Sequence, residues 1–314
     1  MSDTRSNAGD GTPSATRLGS IVAAVRAFVS PRTEADRERR RIVVMCLPYF
    51  VLATFGAFLP LGMLARMSVS ENQFQNEGFS LAAWETLATE PVYREIAWNT
   101  LWFATATTLF SVVVAVAISH ALAKYRLPFR RWIVAMVSFP IALPGIVVGF
   151  MIVVLFGRTG LLTNAVAFFT GENPIDLAIA LTVGGLFLGY SFSLIPRATM
   201  VLRGTFAEVN EDAEEAARAL GASPLLTFRY VTLPQVWPGI VAAFVLTFRT
   251  ALAIFGTVLV LPALNVATLR INLEIQDLGF NLATASAIGL IYFVFIFAFT
   301  FGGVKVIDNE SLKI

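Results

Sequence analysis

Six long runs of apolar residues constrain the fold of this chain more than any other feature of its sequence. Each run covers about 20 residues or more, the length that an α-helix needs to cross the hydrocarbon core of a bilayer. The runs are roughly 42–67, 97–122, 132–156, 175–196, 237–262 and 284–304. They lack the alternation of a membrane barrel, and lipid cannot satisfy the edges of an open sheet. The sequence therefore predicts an all-α polytopic membrane protein with six transmembrane helices.

The charges support lipid as the main solvent and set an orientation. Only 14% of the residues are charged, against about 25% in a typical soluble domain. Eighteen of the 23 Lys and Arg residues fall in the N-terminal region, in loop 123–131, in segment 197–229 and in the C-terminal tail. The connections on the other side hold one each, namely Arg94, Arg158 and Arg270. Because positive charge accumulates on the cytoplasmic side, we expect both termini in the cytoplasm.

The chain is expected to divide into four segments. The N-terminal tail begins with polar residues that cannot bury a core, so we expect it to be disordered. Residues 21–29 within it form a candidate interfacial helix. The segments are the tail 1–41, the first transmembrane helix with an outer loop 42–94, a five-helix core 95–305 and a cytoplasmic tail 306–314.

A short polar loop, residues 208–236, lies between the fourth and fifth apolar runs. Asn210 is a good N-cap, and acidic residues follow it where the helix dipole favours negative charge. Gly221 suits the left-handed position that ends a helix, and Ser223 with Pro224 predicts the immediate start of another. We therefore predict two short helices joined by a tight turn that depends on Gly221.

The order of residues in this loop resembles the EAA loop of the permease subunits of bacterial type I ABC importers. It reads Glu-Ala-Ala, three residues, Gly, nine residues, an aliphatic residue, one residue and Leu-Pro. Only Val231 departs from the family pattern, since isoleucine is common there. The loop residues carried over by the resemblance are Glu215, Ala216, Ala217, Gly221, Ser223, Pro224, Val231, Leu233 and Pro234. The resemblance covers roughly residues 95–305 and implies one half of a translocation pathway in a bacterial cytoplasmic (inner) membrane.

The resemblance also implies partners. The loop would dock into a separate ABC ATPase subunit, present as a homodimer, and Glu215 would accept a charge-assisted hydrogen bond from it. A second permease subunit, for which we expect a paralogue rather than a second copy, and an extracytoplasmic solute-binding protein would complete the assembly; no nucleic acid is expected. Stretches 127–131 and 143–149 are similar to permeases for polyamines, iron, thiamine or phosphonates, so the substrate is expected among these.

No catalytic site, cofactor or metal site is predicted. The sequence contains no Gly-x-x-x-x-Gly-Lys-Ser/Thr, so ATP hydrolysis is expected from another polypeptide. Cys46 and His120 are the only residues of their types, and we expect a small core residue and a structural histidine, respectively. One alternative is a self-contained secondary transporter or channel, although the two halves of the chain show no repeat. A membrane-embedded enzyme is another, but neither a zinc motif nor a nucleophile elbow is present.

Polar residues and prolines inside the apolar runs are candidates for the transport pathway or a gate. Arg249, near the middle of the fifth run, is the foremost, with the alternative that it pairs with another helix or snorkels. The other candidates are Thr247, Thr250, Tyr190, Ser191, Ser193, Pro140 and Pro144. Ser and Thr also serve helix packing, and the two prolines predict either a broken transport helix or a packing kink in the third span.

Overall fold

The computed structural model of the chain describes residues 34–71, 78–125, 127–276 and 281–311, and every regular element within them is helical. Six segments of this part of the chain are long and apolar enough to cross a membrane. They are Arg37–Ser68, Pro91–Lys124, Gly145–Thr170, Val183–Ala207, Pro224–Ala253 and Leu282–Gly303. The predicted fold class and number of spans are confirmed. The expected disordered start and the candidate interfacial helix at 21–29 lie outside the described residues.

The first of two compact units extends to Met63. Its described part is α1 (Glu34–Ala53), a π-helical turn (Thr54–Phe58) and the first five residues of α2 (Leu59–Ser68). Cys46 is exposed on α1, so the expectation that it is a small core residue is wrong. The thiol is a small apolar group on a helix with exposed apolar side chains, which suits contact with lipid.

The second unit begins at Leu64 and contains the other described helices. They are α3 (Ala82–Thr89), α4 (Pro91–Lys124), α5 (Arg130–Ser138), α6 (Gly145–Phe156), α7 (Leu161–Thr170), α8 (Pro174–Leu177), α9 (Val183–Ala207), α10 (Glu211–Ala219), α11 (Pro224–Thr227), α12 (Leu233–Ala253), α13 (Gly256–Val260), α14 (Ala267–Gln276) and α15 (Leu282–Ser311). Of the six candidate spans, α9 is the most buried, and it packs against α4, α6 and α12.

Apolar side chains of α4, α9 and α12 form the core of this unit in two clusters. In the larger cluster the rings of Phe103 and Tyr190 meet edge to face, with 5.0 Å between their centroids. The smaller cluster, nearer to residues 208–236, contains Val112, Leu202 and Val236. Burying a side chain of this size contributes about 1.5–3 kcal/mol, so the clusters hold the three helices together.

The third predicted span, 132–156, is interrupted. A 3₁₀ turn at Phe139–Ala142 follows α5, and Pro144 precedes α6. Proline lacks a backbone donor and clashes with the preceding turn, which accounts for the interruption that Pro140 and Pro144 predict. The segment that meets the length criterion is Gly145–Thr170. It includes α7, whose ten residues are too short to be recognised as part of a span from their sequence alone.

The fourth and fifth spans also differ from their predicted limits. The fourth, predicted at 175–196, is α9, because Pro196 is accommodated inside the helix instead of ending it. The fifth, predicted at 237–262, ends at Ala253. The carbonyls at this end accept hydrogen bonds from hydroxyl groups of other elements, which replace the missing helical amides. The bonds are Tyr292 to Leu252 (2.5 Å), Tyr190 to Ile254 (3.4 Å) and Thr268 to Ile254 (3.3 Å).

After α12 ends, the short helix α13 packs against the start of α6. The hydroxyl of Thr257 donates to the carbonyl of Gly145 at 3.0 Å. A Cβ atom on Gly256 would lie 2.6 Å from the amide nitrogen of Ile146, so only glycine permits this approach. The contact fixes the segment that follows α12 against the third span.

Candidate functional site

Residues 208–236, called here the signature loop, form the two short helices that the sequence predicts. The side chain of Asn210 accepts from the amide of Ala213 at 3.2 Å and caps α10. The hydroxyl of Ser223 accepts from the amide of Leu226 at 3.4 Å and caps α11. Each cap satisfies an amide that has no partner inside its own helix.

The turn between the two helices depends on Gly221, as predicted. This residue has φ +89°, in the region that side chains rarely adopt. Its amide donates to the carbonyl of Arg218 (2.9 Å), and the amide of Ala222 donates to that of Ala217 (3.1 Å). This pair of bonds is the Schellman motif, which ends a helix and reverses the chain. Glycine is required here for its backbone conformation and not for lack of space, because a Cβ at Gly221 would meet nothing within 4 Å.

The second helix of the loop is continuous with the fifth span. α11 passes through a π-helical turn, Phe228–Thr232, directly into α12. Pro234 lies in the first turn of α12, a position that tolerates proline. The apolar helical segment therefore extends from Pro224 to Ala253, and the signature loop has no flexible connection to its span.

Glu214 fastens the signature loop to two spans. Its carboxylate lies 2.6 Å from the ammonium of Lys124, the last residue of α4. The same carboxylate accepts a hydrogen bond from the hydroxyl of Thr232 at 2.5 Å, just before α12. Glu214 and Thr232 are only 3% and 1% exposed, so α10 is held against the ends of α4 and α12 by a buried polar contact.

The ionised state of Glu214 is favoured by these partners. Burial by itself raises the pKa of the carboxyl group, because a low-dielectric environment disfavours charge. The hydrogen bonds from Lys124 and Thr232 and the charges of Lys124 and Arg218 act in the opposite direction and prevail. The pKa of Glu214 is therefore lower than its ordinary value of 4.5, and the carboxylate is ionised at neutral pH.

A cleft of about 470 Å³ adjoins this contact, between the end of α4 and the signature loop. His120 lies at its edge and packs edge to face against Phe206 and Phe228, at centroid distances of 5.8 and 5.0 Å. In the described part of the chain its buried Nδ1 has no hydrogen-bond partner. No group of three or more His, Cys, Asp or Glu positioned for a metal occurs among the described residues. The structural role of His120 stays a prediction.

The outer face of the signature loop is apolar and exposed. Leu220, Leu225 and Tyr230 are 90%, 75% and 68% exposed. Glu215 is also exposed, although it is adjacent to the buried Glu214. The remaining family positions divide between the two faces: Ala216, Gly221, Ser223, Pro224 and Pro234 are exposed, and Ala217, Val231 and Leu233 are half-buried. The inner face of the signature loop is thus held to the spans by the ion pair of Glu214 with Lys124, and its outer face presents apolar groups.

The candidate pathway residues are not brought to one surface. Arg249 is exposed on α12, and Thr250 beside it is half-buried and donates to the carbonyl of Leu246. Thr247, Tyr190 and Pro140 are buried and contribute to packing in this chain, whereas Pro144 is exposed before α6. Ser191 and Ser193 are buried as well.

Three members of the site were not predicted from the sequence: Lys124, Glu214 and Thr232. One signal was present for Glu214, because it lies on the same face of α10 as Ala213 and Ala217. An acidic residue among the inward-facing positions of a helix requires a partner. Its partner Lys124 is one of only three lysines in the chain, but nothing in the sequence places it beside the loop.

Comparison with known proteins identifies the family. Residues 108–308 match the family described as binding-protein-dependent transport system inner membrane component. The match does not favour the alternative of a self-contained secondary transporter or channel.

Two relatives and one solved structure illustrate the similarity. The chain is 30% identical to the probable sulfate transport system permease protein cysT of Helicosporidium sp. subsp. Simulium jonesii, over 63% of this chain and 70% of the relative. It is 28% identical to the sulfate transport system permease protein CysT of Salmonella typhimurium, over 77% and 87%. A chain of a bacterial ABC transporter involved in the import of alginate has the same fold, with TM-score 0.74, 15% identity and coverage of 93% and 99%. Both relatives are named for sulfate, so polyamine, iron, thiamine and phosphonate are not supported as substrates.

Proposed function

Because this chain belongs to the family of binding-protein-dependent transport system inner membrane components, we propose that its signature loop couples it to a separate ATPase. The chain is a permease subunit of an ABC importer and a multi-pass protein of the inner membrane. Its substrate is an inorganic oxyanion such as sulfate.

The exposed apolar face of the signature loop is the observation that carries the coupling proposal. Leu220, Leu225 and Tyr230 protrude from a polar loop, where water would surround them in an isolated chain. Exposed apolar groups clustered on a structured loop mark an interaction surface. Glu215 lies beside them, free to accept a charge-assisted hydrogen bond from the ATPase. The ATPase thereby covers the apolar face.

The inner face of the loop explains how movement reaches the membrane. Glu214 joins α10 to α4 through Lys124 and to α12 through Thr232. The continuous helix from Pro224 adds a covalent connection to α12. When the ATPase subunits close on ATP, the loop moves with them and displaces the two spans together. The chain itself joins the loop to α9 and α12, and the ion pair adds α4 to the spans that move with it.

The further subunits and the orientation follow from the family and from the charges. A solute-binding protein delivers the substrate, in agreement with the family's description. A second permease chain, which we take to be a paralogue, supplies the other half of the pathway. The excess of Lys and Arg in the tails, in loop 123–131 and around the signature loop supports a cytoplasmic location for both termini and for the loop.

Substitution of Leu225 tests the coupling surface. The complete complex is purified with the Leu225→Glu variant, and ATPase co-elution and ATP hydrolysis stimulated by the loaded binding protein are measured. We expect the ATPase to be lost, because a carboxylate cannot be buried against an apolar groove without a partner. Ile175→Glu is the matched control, since Ile175 is 57% exposed and lies outside the loop. Normal co-elution of the Leu225→Glu variant would contradict the proposal.

The substrate is tested separately. The complex is reconstituted with its binding protein in proteoliposomes, and ATP-dependent uptake of radiolabelled sulfate is compared with that of a polyamine and of thiamine. We expect uptake of sulfate alone. Uptake of a cationic substrate without sulfate would refute the oxyanion while leaving the coupling surface intact.

A further inference from the structure

We propose that Arg249 faces the aqueous translocation pathway and contacts the oxyanion as it crosses the membrane. This inference rests on the proposed function, because it assigns the substrate class to one position on α12. It depends on three observations about Arg249: its depth in the membrane, the face of α12 on which it lies and its lack of a partner in the described residues.

Contacts between α12 and α15 place Arg249 within the membrane, between the levels of Tyr292 and Phe299. Tyr292, whose hydroxyl bonds to the carbonyl of Leu252, is near the centre of the span Leu282–Gly303. Phe248 packs against Phe299 with 4.7 Å between the ring centroids. Arg249 precedes Leu252 by three residues, which is about 4.5 Å along a helix. Arg249 therefore lies at a depth where contact of its charge with lipid alone is energetically unfavourable.

The face of α12 that carries Arg249 differs from a face built for lipid. Its exposed residues are Leu246, Arg249 and Ala253, which are spaced as one stripe of a helix. The exposed residues of α15 at similar depth are all apolar: Ile291, Phe293, Val294, Phe295, Phe297 and Ala298. Large aromatic groups suit lipid contact, whereas a cation beside a small residue suits a surface that water or a polar ligand reaches.

The guanidinium of Arg249 is uncommitted within the described residues. The ion pairs found there involve Lys124 and Arg270, not Arg249. The carbonyls freed where α12 ends, those of Leu252 and Ile254, already accept from hydroxyl groups. Arginine presents donors in a planar fork that matches two oxygens of a tetrahedral anion. The positive charge of Arg249 at this position attracts a sulfate-like dianion and repels a polyamine.

Cysteine accessibility tests the pathway position. Cys46 is the only cysteine, so the Cys46→Ser background allows Arg249→Cys and Phe297→Cys to be labelled separately in the assembled complex. The probe is an anionic, water-soluble methanethiosulfonate reagent. We expect Arg249→Cys to react at least about tenfold faster than Phe297→Cys, because a thiol in water ionises and one in lipid does not. Equally slow labelling of the two variants would show that Arg249 faces lipid and would overturn the proposal.

Substrate contact is tested by protection and by transport. Sulfate, supplied with the binding protein and ATP, should slow the labelling of Ala253→Cys, which lies on the same exposed stripe and keeps Arg249 intact; a labelling rate that sulfate leaves unchanged overturns the contact. Arg249→Gln should reduce sulfate uptake about 10- to 100-fold, as expected for one charge-assisted contact, with Arg249→Lys intermediate and ATPase co-elution unchanged. Normal uptake by Arg249→Gln overturns the inference and leaves the proposed function standing.

If the unmodified complex does not transport sulfate, the proposed substrate fails, and the labelling rates still decide whether Arg249 faces water.

Discussion

The ammonium group of Lys124 lies 2.6 Å from the carboxylate of Glu214, across 90 residues of sequence. This ion pair joins the end of one span to the first helix of the signature loop. Glu214 is buried and Glu215, the next residue, is exposed. Two adjacent acidic residues therefore have different tasks, one inside the chain and one toward a partner.

Neutralising the two acids one at a time should separate these tasks. Glu214→Gln removes the shorter ion pair of Lys124 and leaves only its 3.8 Å contact with the exposed Glu211. It should lower the free energy of unfolding by about 1–3 kcal/mol, between the values for exposed and buried pairs, since a cleft admits water beside it. Glu215→Gln should change it by less than about 0.5 kcal/mol and instead weaken ATPase binding. Thermal unfolding in detergent and ATPase co-elution measure the two effects. Equal stability of the two variants would refute the buried role of Glu214.

Acid should weaken the same contact. The pKa of Glu214 is lower in the folded chain than its ordinary value of 4.5, so its stabilisation is present above pH 4.5 and is lost as the pH falls through the folded pKa. The difference in melting temperature between the unmodified chain and Glu214→Gln should therefore be constant near neutral pH and shrink below about pH 4.5. Scans at several pH values give this difference, and a constant gap at all of them would contradict the assignment.

The turn at Gly221 should tolerate no β-branched residue. In Gly221→Val the turn would force valine into a left-handed conformation, which costs about 1–3 kcal/mol. We therefore expect transport to be abolished while the chain still inserts in the membrane. Gly204→Ala is the control, because Gly204 lies within α9 and also has open space around its missing Cβ. Uptake assays with membrane-fraction blots distinguish the two variants. Uptake that survives Gly221→Val would show that the turn does not need a left-handed residue.

The hydroxyl of Tyr292 should stabilise the end of α12. Tyr292→Phe removes the donor to Leu252 and should cost about 0.5–1.5 kcal/mol, because the carbonyl then lacks a partner in an apolar site. Tyr49→Phe changes an exposed tyrosine of α1 and should have little effect. Thermal unfolding of the two variants in the same detergent makes the comparison. A larger loss for Tyr49→Phe would refute the capping role.

Local chemistry made much of this protein predictable from its sequence. Apolar length gives the number of spans although not all of their limits, and Asn210, Gly221 and Ser223 specify the turns of the signature loop through their own backbone preferences. The end of α12 at Ala253 was not predictable, since the hydroxyls of Tyr190 and Tyr292 that replace its helical bonds come from distant helices. The contact between Lys124 and Glu214 was missed for the same reason: it exists only once α4 and α10 are packed together.

The end of α12 within the membrane has an electrostatic consequence. The C-terminus of a helix carries a partial negative charge of about half an elementary unit, and Ala253 is one turn beyond Arg249. Bare carbonyls there would repel an approaching anion. The hydroxyl hydrogens of Tyr190, Tyr292 and Thr268 point their positive ends at those oxygens and reduce the local negative potential. The positive field of Arg249 can then extend toward an anion with little opposition from the helix that carries it.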